Sequence, residues 1–323
     1  MLRIILFLGL LSNPLFGTIN WSHNYHDSLK KAQEKQKPLL LYISTPDPLS
    51  WRMEKQILET RDFSEQTAGQ FIFVRIDLDR NAKTIQAGSI ETEFLKNNLE
   101  VESFPCLLIV SPEGKRLAER SFIPVEAKKY AEHLLEISKD YRELKSGMNK
   151  LDKLDAVTLK ELYIKAKTFQ QKQEMQRLLD LGRKSNEKVY FLSEYLSFLS
   201  ENGKISSKKA RKVRKELLEL DEDNKQGKHR FVALLEFQHL ASLGNADPLG
   251  AVTPLMNYLE TFEDPQNDWR VEMTISQYLF SQNKINEAIE FANHSYKKAP
   301  SKRKASIKMA IEHMTAQLQS PIK

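Results

Sequence analysis

The stretch Leu39-Leu40-Leu41-Tyr42-Ile43-Ser44-Thr45-Pro46-Asp47-Pro48-Leu49-Ser50-Trp51-Arg52-Met53-Glu54-Lys55 passes from a short apolar run directly into a helix start. The run Leu39 to Ile43 is continuous rather than alternating and is short, which reads as a strand buried on both faces. The helix that follows is expected near Ser50 to Thr60, with Trp51, Ile57 and Leu58 turned inward.

Ahead of this stretch, Trp21, Tyr25, Leu29 and Ala32 recur at helical spacing, and Lys37-Pro38 ends that helix. Phe71 to Asp77 is rich in aromatic and β-branched residues and predicts a second strand. Strand, helix and strand at this spacing make a parallel crossover, which is almost always right-handed. A helix is expected near Ile90 to Leu99, then a third strand over Cys106 to Val110. Ser111-Pro112-Glu113-Gly114 suits a type I turn into an antiparallel strand over Arg116 to Phe122. A helix from Val125 to Ile137 closes the unit. The expected product is a mixed sheet of four or more strands with helices on both faces.

This order of elements resembles the thioredoxin fold, and more narrowly the exported thioredoxin-like proteins that begin with a Trp-containing helix. Lys37-Pro38-Leu39-Leu40-Leu41 resembles the family's strand entry. Asp47 and Trp51 resemble the residues around its Cys-x-x-Cys motif, which puts Leu49 and Arg52 where the two cysteines stand. Phe71 to Asp79 resembles the central strand. Val101-Glu102-Ser103-Phe104-Pro105-Cys106 resembles the Val-x-x-Phe-Pro-Thr segment, whose proline is cis in the family. Ser111 to Lys115 resembles its hairpin. The likeness covers residues 20–138.

The departure carries as much information as the match. Disulfide exchange needs a thiolate at the helix N-terminus and a second thiol to resolve the mixed disulfide. Leu49 and Arg52 supply neither. The chain has one cysteine, Cys106, so it forms no intramolecular disulfide. Cys106 is either a monothiol centre, with Arg52 favouring its thiolate, or a small buried apolar residue. What the resemblance leaves intact is recognition: the backbone before the cis proline pairs with an extended peptide as an added strand does. Leu49, Trp51, Arg52, Ser103, Phe104 and Pro105 are therefore the expected binding groove, with core packing as the plain alternative for Trp51 and Phe104.

Other chemistry is poorly represented. Of seven histidines only His23 and His26 lie close together, and no pattern completes a metal site around them. Phosphate-binding glycine loops and nucleophile elbows are missing from the sequence. Asp77 and Asp79 resemble the family's acidic strand end and are expected to be solvated rather than catalytic. No cofactor is expected.

The chain has 323 residues, enough for two domains, and its 41% hydrophobic and 28% charged composition is that of a globular protein. Arg3 followed by the apolar stretch Ile4 to Leu11, Pro14 and Gly17 reads as a signal peptide over 1–17, too short to span a bilayer comfortably, with a signal-anchor or a buried first helix as the alternatives. A thioredoxin-like domain is expected over 18–138, a polar linker over 139–155 and an all-α region over 156–323. In that region breaks near Phe169-Gln170, Asn202-Gly203, Gly244-Asn245 and Gln282-Asn283 space helices as hairpin repeats. Ala288, Ala292 and Ala299-Pro300 resemble a tetratricopeptide repeat; an irregular bundle is the alternative.

Residues 18–138 carry 16 Lys+Arg against 18 Asp+Glu, whereas residues 139–323 carry 32 against 25. The basic half is either a solvated helical surface or a docking face for an acidic partner or a membrane. Its densest run, Lys208 to Lys215, is expected to spread around a helix without forming a stripe, which argues against nucleic acid. The sequence thus points to an exported, redox-inactive thioredoxin-like protein of the bacterial envelope that binds protein or extended peptide clients as a chaperone or scaffold. The rival is a thiol-disulfide oxidoreductase or isomerase relative acting through Cys106.

Overall fold

The computed structural model describes residues 19–78, 99–101, 103–244 and 247–319. The expected signal peptide, the helix near 90–99, Asp79 and Glu102 fall wholly or largely outside them. The chain divides into two compact units, the first taking residues 1–154 and 161–174 and the second 155–160 and 175–323.

In the first unit, α1 (Tyr25–Lys35) begins at Asn24, whose side chain accepts from the Asp27 N–H, and ends at Gln36 in the left-handed conformation. Strand β1 (Leu39–Ser44) is buried throughout. After it come α2 (Pro48–Met53), a π-helical turn over Glu54–Leu58, and α3 (Arg61–Thr67). Strands β2 (Ile72–Asp77), β3 (Cys106–Val110) and β4 (Arg116–Ser121) complete one mixed sheet in the order β2-β1-β3-β4. β1 is parallel to β2 and antiparallel to β3, with Ile43 opposite both Ile76 and Cys106.

That register divides the side chains between two faces. Leu39, Leu41, Ile43, Val74, Ile76, Cys106, Leu108 and Val110 form one core cluster with Tyr25 and Ala32 of α1. The alternate residue Tyr42 points to the other face, where its hydroxyl donates to the Ser50 carbonyl and to Glu54 Oε1. Helix α4 (Ala127–Met148) runs longer than the expected 125–137. It passes through the first part of the segment read as a linker, because Tyr141 and Leu144 continue its buried stripe. Tyr141 there meets Phe169 edge-on at 5.6 Å and donates to Glu113 Oε2 at 2.7 Å.

Two expectations change in detail. Trp21 lies ahead of α1, beside the bridge between Ser22 and Val74, and packs edge-on against Phe73 at 5.3 Å. Trp51 is 61% exposed rather than inward. Ser50, Met53 and Ile57 occupy the inner stripe at i, i+3 and i+7, which leaves Trp51 about 100° around the helix.

The second unit is helix-rich. α5 (Ala156–Thr168) and α6 (Lys172–Gly182) are shared between the units, and α7 (Lys188–Glu201), α8 (Lys208–Glu219) and α9 (Lys228–Ser242) follow. Then come α10 (Pro248–Thr261), α11 (Asp268–Ser281), α12 (Ile285–Lys298) and α13 (Ser301–Gln319). Gln170, Gly203, Gly244 and Asn283, at the breaks read from sequence, all have positive φ. α11 and α12 pack closely because their contact is built from small residues. Ala288 and Ala292 are fully buried, and Ser276 donates across to the Ala288 carbonyl at 2.7 Å.

Candidate functional site

The register Ile43–Cys106 brings the end of β1, the start of α2 and the Ser103-Phe104-Pro105 loop to one end of the sheet. The Asp47 carboxylate holds the α2 start, accepting from the N–H groups of Leu49 at 2.7 Å and Ser50 at 3.1 Å. Slight burial alone would raise its pKa, but hydrogen bonds from Thr45 and from the Ser50 and Leu49 backbone hold it below the usual carboxylate range. Thus the local structure that would support a nucleophile is present, with Leu49 at 47% exposure and Arg52 also exposed.

Across from them the Phe104-Pro105 peptide bond is cis. Pro105 is buried and Phe104 packs half-buried against the α1-side core. Ser103 is committed within the chain: its N–H and hydroxyl both donate to Glu119 Oε1, and its Oγ lies 2.7 Å from Ser121 Oγ. Among the described residues the Phe104 peptide N–H and C=O carry no hydrogen bond, so this is the pairing edge that remains.

Cys106 sits at the first position of β3 with no exposure. Burial, reinforced by the nearby Glu119 charge and only partly offset by Arg116, pushes its thiol far above the ordinary range. The expected help from Arg52 is not among these influences. The reason is the pleat: Cys106 belongs to the α1-side cluster, whereas Tyr42, on the opposite face, touches the helix that carries Arg52.

Sequence reading missed a polar network beneath α2. Arg75 Nε donates to Asp77 Oδ1 at 2.7 Å and its NH2 group to Glu54 Oε1 at 3.0 Å. Glu54 also accepts from Tyr42, and Ser44 donates to Asp77. Burial, with Glu54 adding to it, raises the Tyr42 phenol well above its ordinary pKa. Ser44, Glu54, Arg75 and Asp77 line an open depression of about 650 Å³ together with Asp47, Ser50 and Trp51, whereas Tyr42 is buried beneath it. Of the expected groove residues Trp51 alone is on its wall. Its Glu54, Arg75, Asp77 and Asp47 side chains are all hydrogen-bonded within the chain. The signals available were Tyr42 inside an apolar strand and Arg75 inside another. No group of His, Cys, Asp and Glu among the described residues is placed to hold a metal ion.

A mixed sheet in this order, a helix capped where β1 ends and a cis proline opposite it define a thioredoxin-like domain. Residues 25–134 match the thioredoxin-like domain family. The chain is 27% identical over 312 residues to the thioredoxin-related protein DsbJ of Chlamydia pneumoniae, covering 93% of this chain and 88% of that protein. That alignment takes in the helix-rich region as well as the thioredoxin-like domain. Over 108 residues the chain is 26% identical to the disulfide bond reductase DsbH of the same organism, covering 33% of this chain and 64% of the relative. A solved structure of the DsbH oxidoreductase aligns with 24% identity and a TM-score of 0.33, over 38% of this chain and 86% of that one.

Proposed function

We propose that this chain is a redox-inactive thioredoxin-like protein that holds extended polypeptide at the α2–cis-proline end of its sheet, as a chaperone or scaffold in the bacterial envelope. The observation that carries the reading is the pairing of loss and retention at one site. By the family resemblance Leu49 and Arg52 stand at the dithiol positions, while the Asp47-capped helix start, the exposed Leu49 and Trp51, and a Phe104 peptide with no hydrogen bond among the described residues remain. A strand laid along Phe104 would gain main-chain hydrogen bonds there, and Leu49 and Trp51 offer apolar surface to its side chains. The burial of Cys106 weighs against the rival monothiol reaction, which needs an accessible thiolate. Export rests on the Arg3-led apolar segment. No helix among the described residues is long and apolar enough to cross a membrane. The helix-rich region, with its small-residue α11–α12 contact, serves in this reading as a repeat-like scaffold.

The test is titration of a fluorescent, S-carboxymethylated insulin B chain, which is extended and has no free thiol, with the full-length protein. Saturable binding that survives Cys106→Ser is expected. Absence of binding, or binding that depends on Cys106, overturns the proposal.

A further inference from the structure

Helix α8 contains the run Lys208-Lys209-Ala210-Arg211-Lys212-Val213-Arg214-Lys215, and its packing sorts these charges. Ala210, Val213 and Leu217 are fully buried and define the inner face. Two cations are held within the unit: Lys209 lies 3.6 Å from Asp180 and over the Tyr195 ring, and Arg214 pairs with Glu236. Lys208, Arg211 and Lys212 have no acidic partner among the described residues, and Lys215 has only a loose exposed contact with Glu219 at 3.7 Å. The remaining four stand at i, i+3, i+4 and i+7, which is one face of a helix. Within a run that as a whole spreads around the helix, the cations not held by Asp180 or Glu236 thus share one face.

Beside this stripe lies an open pocket of about 470 Å³, lined from α8 by Arg211, Arg214, Lys215 and Leu218 and from α9 by His229. Its wall also carries Glu219, which Lys215 engages, and Glu222. Two buried nitrogens of the lining, Arg214 Nε and His229 Nε2, have no hydrogen-bond partner. The guanidinium nitrogen is a donor, and the imidazole nitrogen donates in one of its tautomers. The exposed cations Arg211 and Lys215 beside an apolar Leu218 suit a ligand with anionic acceptors and an apolar group close together.

We propose that this face of α8 and its pocket dock an acidic polypeptide segment, which places an apolar side chain against Leu218 and its carboxylates on the exposed Arg211 and Lys215. A polypeptide fits better than a phosphate backbone or a lipid headgroup plane. Glu219 and Glu222 interrupt the positive surface and would repel a continuous anionic array, whereas a peptide alternates its charges with apolar residues. This site lies in the helix-rich unit and is independent of the reading given above for the thioredoxin-like domain.

The experiment is fluorescence polarisation of the full chain with a labelled decapeptide of glutamates interspersed with leucines, against its copy with glutamines. Binding is expected for the glutamate peptide only. Arg211→Glu combined with Lys215→Glu, both exposed positions, should weaken it at least about tenfold. Leu218→Gln, which leaves the charge unchanged, should weaken it as well. Failure of the glutamate peptide to bind, equal binding of the glutamine copy, or equal binding by the charge-reversed variant overturns the proposal. So does capture of phosphatidylglycerol vesicles or a DNA duplex by this face in place of the peptide.

Discussion

Replacing Trp51 by alanine should separate binding from folding. The side chain is 61% exposed, so its removal leaves the core intact and should change stability by no more than about 0.5 kcal/mol. A tryptophan buries roughly 150–250 Å² when covered. The part still open on Trp51 therefore amounts to roughly 90–150 Å², or about 2–4 kcal/mol at ~25 cal/mol per Å². A bound strand lying across one side of the ring would cover about half of that. The expected loss is about 1–2 kcal/mol, which is a roughly five- to thirtyfold weaker dissociation constant. The assay is titration of the carboxymethylated insulin B chain with wild-type and Trp51→Ala protein, with circular dichroism and a denaturant curve to confirm equal folding. Unchanged affinity at unchanged stability would refute the assignment of Trp51 to the binding surface.

Other consequences follow from the same geometry. Cys106 should react with a disulfide reagent about a thousandfold or more slowly in the native protein than in denaturant, since labelling waits for opening of a folded core; a native rate like that of a free thiol would contradict the burial argument. Asp47→Ala should cost about 1 kcal/mol through loss of the α2 cap. Because the folded-state pKa of Asp47 is depressed, its stabilisation is complete above the ordinary aspartate pKa of about 3.9 and is lost as pH falls through the lower folded value. Denaturation midpoints for wild type and variant should therefore converge in acid, and a gap that persists or widens there would speak against the cap. In the helical unit, a β-carbon at Gly182 would collide with the Phe191 ring, so Gly182→Ala should destabilise by roughly 1–3 kcal/mol. An unchanged denaturant midpoint would show that the contact is slack.

The strands and most helix breaks were legible because they rest on local signals. A five-residue apolar run flanked by polar punctuation has few alternatives to a buried strand, and Gly203, Gly244 and Asn283 tolerate the left-handed conformation that ends a helix. What escaped depended on which face a residue takes. Trp51 is the most hydrophobic-looking residue of its helix, yet Ser50, small enough to sit under the β1 end, takes the inner position. Cys106 and Arg52 are close along the fold but lie on opposite sides of a pleated sheet, a distinction that one residue of register decides. The Tyr42–Glu54–Arg75–Asp77 network was hidden because its members come from three elements, and none of them forms a motif along the chain. On α8, the sequence showed six basic residues among eight; only the partners Asp180 and Glu236 reveal which charges are occupied.

In the proposed function this thioredoxin-like domain binds polypeptide without exchanging disulfides. Insulin tests both halves together. Incubated with the full chain and a trace of dithiothreitol as electron source, insulin disulfides should be reduced no faster than without the protein. When excess dithiothreitol then releases the B chain, its aggregation should be delayed in proportion to the protein added, equally for wild type and Cys106→Ser. Accelerated reduction that vanishes in Cys106→Ser, with no effect on aggregation, would contradict the account.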